Sequence, residues 1–63
     1  MTLVEVEMQA ANLGFQLEHL DVDGIGVWTW RRGSDHSWPA FLDQTSALSW
    51  MEYSIRTASL FNR

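Results

Sequence analysis

Phe15-Gln16-Leu17-Glu18-His19-Leu20-Asp21-Val22-Asp23-Gly24-Ile25-Gly26-Val27-Trp28-Thr29-Trp30 is the stretch that decides the fold. Apolar and polar residues alternate on both sides of Asp23-Gly24. That dipeptide suits a two-residue type I′ turn, which needs positive φ at both central positions. A hairpin closed there has a fixed register. Val22 faces Ile25, Leu20 faces Val27, His19 faces Trp28, Glu18 faces Thr29 and Leu17 faces Trp30, because antiparallel partners step oppositely from the turn. One face then gathers Phe15, Leu17, His19, Trp28 and Trp30. The other carries Leu20, Val22, Ile25 and Val27 near the turn, with Gln16, Glu18, Thr29 and Arg31 towards the open end.

Upstream, Leu3, Val6, Ala10 and Leu13 fall on one helical stripe. Thr2 and Glu5 have the spacing of a capping box, and Gly14 stands where a left-handed helix stop belongs. These features predict a helix over the first thirteen residues. The competing pattern is a strand over 3–8, since Val4, Val6 and Met8 alternate with Glu5 and Glu7. Downstream, Gly33-Ser34-Asp35 is a second turn, and His36, Ser37 and Trp38 are expected to return as a short third strand that Pro39 limits. Asp43 or Thr45 can cap a long helix from about Gln44 to about Phe61. Ala47, Leu48, Met51, Ile55 and Ala58 share its inner face, with Trp50 and Phe61 alongside, while Tyr53 and Leu60 project from its back. The expected fold class is α+β: an N-terminal helix, an antiparallel β-hairpin with a short third strand, and a long C-terminal helix, both helices packed on the tryptophan-bearing sheet face. Residues 1–63 form one small domain.

A chain of 63 residues hides a modest share of its surface and is marginal without further support. With no cysteine, disulfides and thiolate zinc sites are excluded, so an aromatic core or self-association has to supply the stability. Four tryptophans, each able to bury roughly 150–250 Å², favour the first and leave room for the second. Eight acidic against four basic residues give a net charge of -4, which opposes phosphate binding and argues against a nucleic-acid partner. The apolar runs fall far short of the ~20 residues a membrane span needs, and the first residues lack the basic flank of a secretory signal. The expectation is a soluble cytoplasmic protein without a membrane partner.

Candidate chemistry is sparse. His19 and His36, with Asp21, Asp23 and Asp35, offer imidazole and carboxylate ligands in a spacing that matches no established metal pattern. Asp21-Val22-Asp23-Gly24 starts like a calcium loop, but its glycine comes too early and the closing glutamate is missing. His19 is therefore assigned to the sheet beside Trp28, and His36 to the flank of a turn. Ser34-Asp35-His36 holds the three residue types of a hydrolase, but catalytic triads converge from separate parts of a fold. Arg31 and Arg32 are too few for a nucleic-acid platform. One is expected at the open end of the hairpin near Glu18 or Gln16, the other over an aromatic ring. No cofactor, metal or catalytic residue is assigned.

The Gly33-Ser34-Asp35-His36 run, together with the helix-sheet-helix order, resembles the HicA-like toxins, small double-stranded-RNA-binding-like domains in which a Gly-Ser-His segment carries the ribonuclease histidine. The resemblance implies a ribonuclease centred on His36. Here an aspartate interrupts the motif, the chain has no lysine, and its net charge is negative.

Surplus apolar surface is the more informative signal. If the tryptophan face packs on the helices, Leu20, Val22, Ile25 and Val27 point away from that core, and Tyr53 and Leu60 emerge behind the long helix. Such clusters with a polar rim have the character of association surfaces. The expected function is a small acidic, non-enzymatic protein-interaction module, homodimeric or an accessory or inhibitory subunit, with those six residues as contacts. Two alternatives come from other classes: a His36-centred nucleic-acid-processing domain, and an acidic mimic of nucleic acid built from Glu5, Glu7, Glu18, Asp21, Asp23 and Asp35. A bent hairpin whose tip is covered by the first helix would remove the apolar surface altogether.

Overall fold

A computed structural model describes residues 1–58 and has the order α1 (Leu3–Asn12), β1 (Phe15–Val22), β2 (Ile25–Arg32), β3 (Ala40–Phe41) and α2 (Gln44–Thr57). It is an α+β fold with one antiparallel sheet in the order β1-β2-β3. The hairpin register is the expected one throughout, from Val22 opposite Ile25 to Phe15 opposite Arg32. Asp23 and Gly24 take φ of 54° and 84°, as a type I′ turn demands. The Asp21 carboxylate adds a local brace by accepting the Gly24 amide at 2.9 Å.

Residues 3–8 are helical, because the end signals outweigh the short alternation. The Thr2 hydroxyl accepts the Glu5 amide at 3.2 Å, and Gly14 leaves the helix at φ 91°. Asp43, rather than Thr45, caps α2 by accepting the Ser46 amide at 2.7 Å. The last helix stops earlier than the periodicity suggested. Ala58 sits in the left-handed region at φ 54° and its amide turns back to the Ser54 and Ile55 carbonyls. Ala58 is consequently exposed rather than part of the inner face. Leu60 and Phe61 lie outside the described residues.

The third strand also differs in place. Arg32 bridges Asp35 across the second turn, but His36–Trp38 is not a strand; Ala40 and Phe41, beyond Pro39, pair with Thr29 and Trp28. Trp38 is drawn into the core instead, 4.9 Å from Phe15 at an interplanar angle of 73° and 6.3 Å from Trp50. The Thr29 hydroxyl holds the crossing chain by donating to the Pro39 carbonyl at 3.1 Å, with the Trp38 carbonyl 3.4 Å away.

Both helices cover the same sheet face. Trp30 is 1% exposed, meets Phe15 edge-on at 6.5 Å, and donates its indole N–H to the Ala47 carbonyl at 3.1 Å. Val6 and Ala10 of α1 and Leu48 and Met51 of α2 complete the core, with Leu13, Leu17, Trp50 and Ile55 packed at its margin. Burial of this one aromatic face is the main force holding the layers together.

Candidate interaction surface

Because the helices sit over Phe15, Leu17 and Trp30, the alternation of the strands sends Leu20, Val22, Ile25 and Val27 to the opposite face. Leu20, Val22 and Ile25 are 43, 51 and 56% exposed, and Val27 is half-buried. Among the described residues nothing covers the tip, and no bend brings α1 over it. The register places Leu20 directly across from Val27 and Val22 across from Ile25, so the four side chains form one aliphatic patch with Asp21, Asp23 and Gly24 at its rim.

Tyr53 is 67% exposed. It points away from the core side of α2, which lies on the other face of the sheet, so the hairpin tip and Tyr53 do not belong to one surface. Leu60 falls outside the described residues. Leu3, expected on the inner stripe of α1, is 46% exposed at the helix start, and further exposed apolar features escaped the sequence reading. Val4 and Met8 stand one helical turn apart on the outer side of α1, and Leu42 leads into α2 with most of its side chain in solvent. The Val4–Met8 spacing was the available signal, masked by the stronger inner stripe of Val6 and Ala10.

The open end of the same sheet face is polar. Glu18 is its hub, 3.6 Å from the Arg31 guanidinium and 3.8 Å from His36 Nδ1, and Arg31 also donates to the Gln16 side chain. Arg32 lies on the other face, 5.3 Å from the Phe15 ring centroid. The two arginines thus divide as the sequence suggested, one bracing the hairpin and one over an aromatic ring. That His36 reaches Glu18 was not legible, because the chain between them reverses twice.

His19 stacks on Trp28 with a centroid separation of 4.3 Å and an interplanar angle of 5°. Gly26 makes room for this, since a β-carbon there would stand 2.9 Å from His19 Nε2. Asp35 turns its carboxylate to the Ser37 amide and hydroxyl at 2.9 and 2.6 Å, which shapes the loop before His36. Among the described residues, no three histidine or carboxylate side chains converge as metal ligands. The acidic residues are dispersed: Glu5 and Glu7 on α1, Asp21 and Asp23 at the hairpin tip, and Glu18 beside Arg31 and His36. No helix among the described residues is long and apolar enough to cross a membrane.

No protein-family model matches the chain, and no curated protein or solved structure is significantly similar to it.

Proposed function

We propose that this protein is a small interaction module that acts by self-association through the aliphatic hairpin tip. The observation that carries this reading is the exposure of Leu20, Val22 and Ile25 as one patch with half-buried Val27, on the sheet face that the helices leave uncovered. Isolated exposed apolar residues are ordinary, but a contiguous patch held on a rigid ribbon stabilises whatever covers it, at about 25 cal/mol per Å² removed from water. Tyr53 is a separate surface on the far side of the molecule. A contact from tip to α2 would propagate head to tail, whereas a tip-to-tip contact closes into a two-fold dimer.

Light scattering coupled to size exclusion, from about 1 to about 100 µM, covers the range in which weak dimers form. The wild type is expected to run as a dimer at the upper end, and Val22→Glu/Val27→Glu as a folded monomer. Val4→Glu/Met8→Glu, on the outer side of α1, serves as the control and retains the dimer. A wild type that stays monomeric throughout refutes the reading.

The rival centred on His36 has one observation in its favour, the carboxylate of Glu18 within 3.8 Å of an exposed imidazole. A general acid and base could be assembled from such a pair. RNA cleavage by the wild type that disappears in His36→Ala would establish it.

A further inference from the structure

We infer that the second copy docks along the free edge of β1, in an antiparallel two-fold pairing centred on Leu20. The inference rests on the self-association reading above and adds to it the element, the register and the residues in contact.

Among the described residues β1 has a single neighbour, β2, so one side of this eight-residue strand is an open edge. The side chains that accompany that edge follow from the bonding phase of the ladder. Arg32 exchanges both of its backbone hydrogen bonds with Asp35, at 3.1 and 2.9 Å, so its N–H and C=O point away from β1. Phe15, opposite Arg32, is thereby in a non-hydrogen-bonded pair. Bonded and non-bonded pairs alternate along an unbroken antiparallel ladder, so Leu17, His19 and Asp21 share that phase and direct their N–H and C=O to the open edge. Edges of this kind are commonly blunted by proline, charged side chains or a bulge. β1 has no proline, its register with β2 runs from Phe15 to Val22 without a bulge, and the charges it does carry, Glu18 and Asp21, limit the registers in which the edge can pair.

A two-fold axis normal to the sheet pairs such an edge with itself, and the side chains select among its registers. Centring on Glu18 sets two glutamates face to face, and centring on Asp21 does the same with two aspartates. Centring on His19 sets Leu17 against Asp21 and Glu18 against Leu20. Centring on Leu20 sets His19 against Asp21 of the second copy, twice by symmetry, and Leu20 against Leu20. Glu18, already beside Arg31, then faces Val22. This register uses the distal half of β1, while the packing of Phe15 and Leu17 under α1 occupies the proximal half, so the helical layers lie at opposite ends of the pairing. Leu20 is the aliphatic side chain that meets its own counterpart across the axis, and Val27 flanks it one strand away, so the aliphatic face runs on in the spatial order Val27, Leu20, Leu20, Val27.

Leu20 lies in the inward-bonded phase with respect to β2. Across the axis it therefore forms a non-hydrogen-bonded pair, with a Cα separation near 4.5 Å, inside the disulfide range of about 4.4–6.8 Å. The chain has no cysteine, so Leu20→Cys can be oxidised only between copies. Leu20→Cys is expected to form the disulfide dimer roughly tenfold faster than Val27→Cys, which shares the face but lies one strand from the axis. Equal rates, or faster linkage at Val27→Cys, in a chain that light scattering shows to be dimeric would overturn the edge register and leave self-association standing. A monomeric wild type removes both. A second test does not depend on the cysteine variants folding. His19→Asp is expected to weaken the dimer several-fold, and the exchange His19→Asp/Asp21→His to recover it. Failure of the exchanged pair to recover, with both variants folded by tryptophan fluorescence, contradicts the pairing.

Discussion

Trp30 is the residue on which the layers converge, since its ring fills the core and its N–H ties the sheet to the first turn of α2 through the Ala47 carbonyl. Trp30→Phe keeps an aromatic ring but loses the donor and part of the volume. It should cost about 2–3 kcal/mol, and Trp30→Ala about 3–5 kcal/mol, which a domain of this size cannot absorb without unfolding. Two backbone positions test the same logic in opposite directions. Gly24→Ala has open space for its methyl group, so its cost of about 1–2 kcal/mol arises from the left-handed φ alone. Ala58→Gly relieves a non-glycine residue from that same region and should stabilise by up to about 1 kcal/mol. Urea unfolding followed by tryptophan fluorescence reads Trp30→Phe, Gly24→Ala and Ala58→Gly, and Trp30→Ala is read as the absence of a transition.

Among the elements, the hairpin was wholly legible, because Asp23-Gly24 sets the phase and every later pair follows from the two-residue period. α1 was legible from its ends, where Thr2 and Gly14 resolve a core pattern that fits helix and strand alike. The third strand was not. Its location depends on Trp38 entering the core beside Phe15, which pulls the chain across the sheet and leaves only Ala40 and Phe41 to pair. Nothing local in Ala-Phe announces a strand, and the Thr29 hydroxyl that fastens the crossing looked in sequence like an ordinary exposed sheet threonine. Thr29→Val preserves the shape and removes that donor, at an expected cost of about 1 kcal/mol. Hydrogen exchange should show the loss concentrated in residues 38–41. Uniform loosening of the whole sheet would contradict this account of the crossing. The early stop of α2 was likewise hidden, since the apolar period continues past Ala58 and no glycine or proline marks the end.

At the scale of the whole molecule, one sheet face is committed to the core, while the other is crossed by the chain at Thr29 and open to solvent towards the hairpin tip, and that division separates the candidate contacts. The sequence already set the hairpin residues on the sheet face away from the helices and Tyr53 behind the long helix, and the topology keeps α2 between Tyr53 and the sheet. Tyr53→Ala should therefore leave the oligomeric state unchanged in light scattering, whereas substitutions at Val22 and Val27 alter it. Amide exchange measured by NMR at low and high protein concentration tests the central claim most directly. If copies associate through the uncovered tip and the β1 edge, the outward-facing amides of His19 and Asp21 gain protection as concentration rises, while the Leu20 amide, bonded within the hairpin, is protected at both concentrations. Exchange at His19 and Asp21 that stays fast at every concentration, or concentration-dependent protection confined to the outer side of α1 near Val4 and Met8, would contradict it.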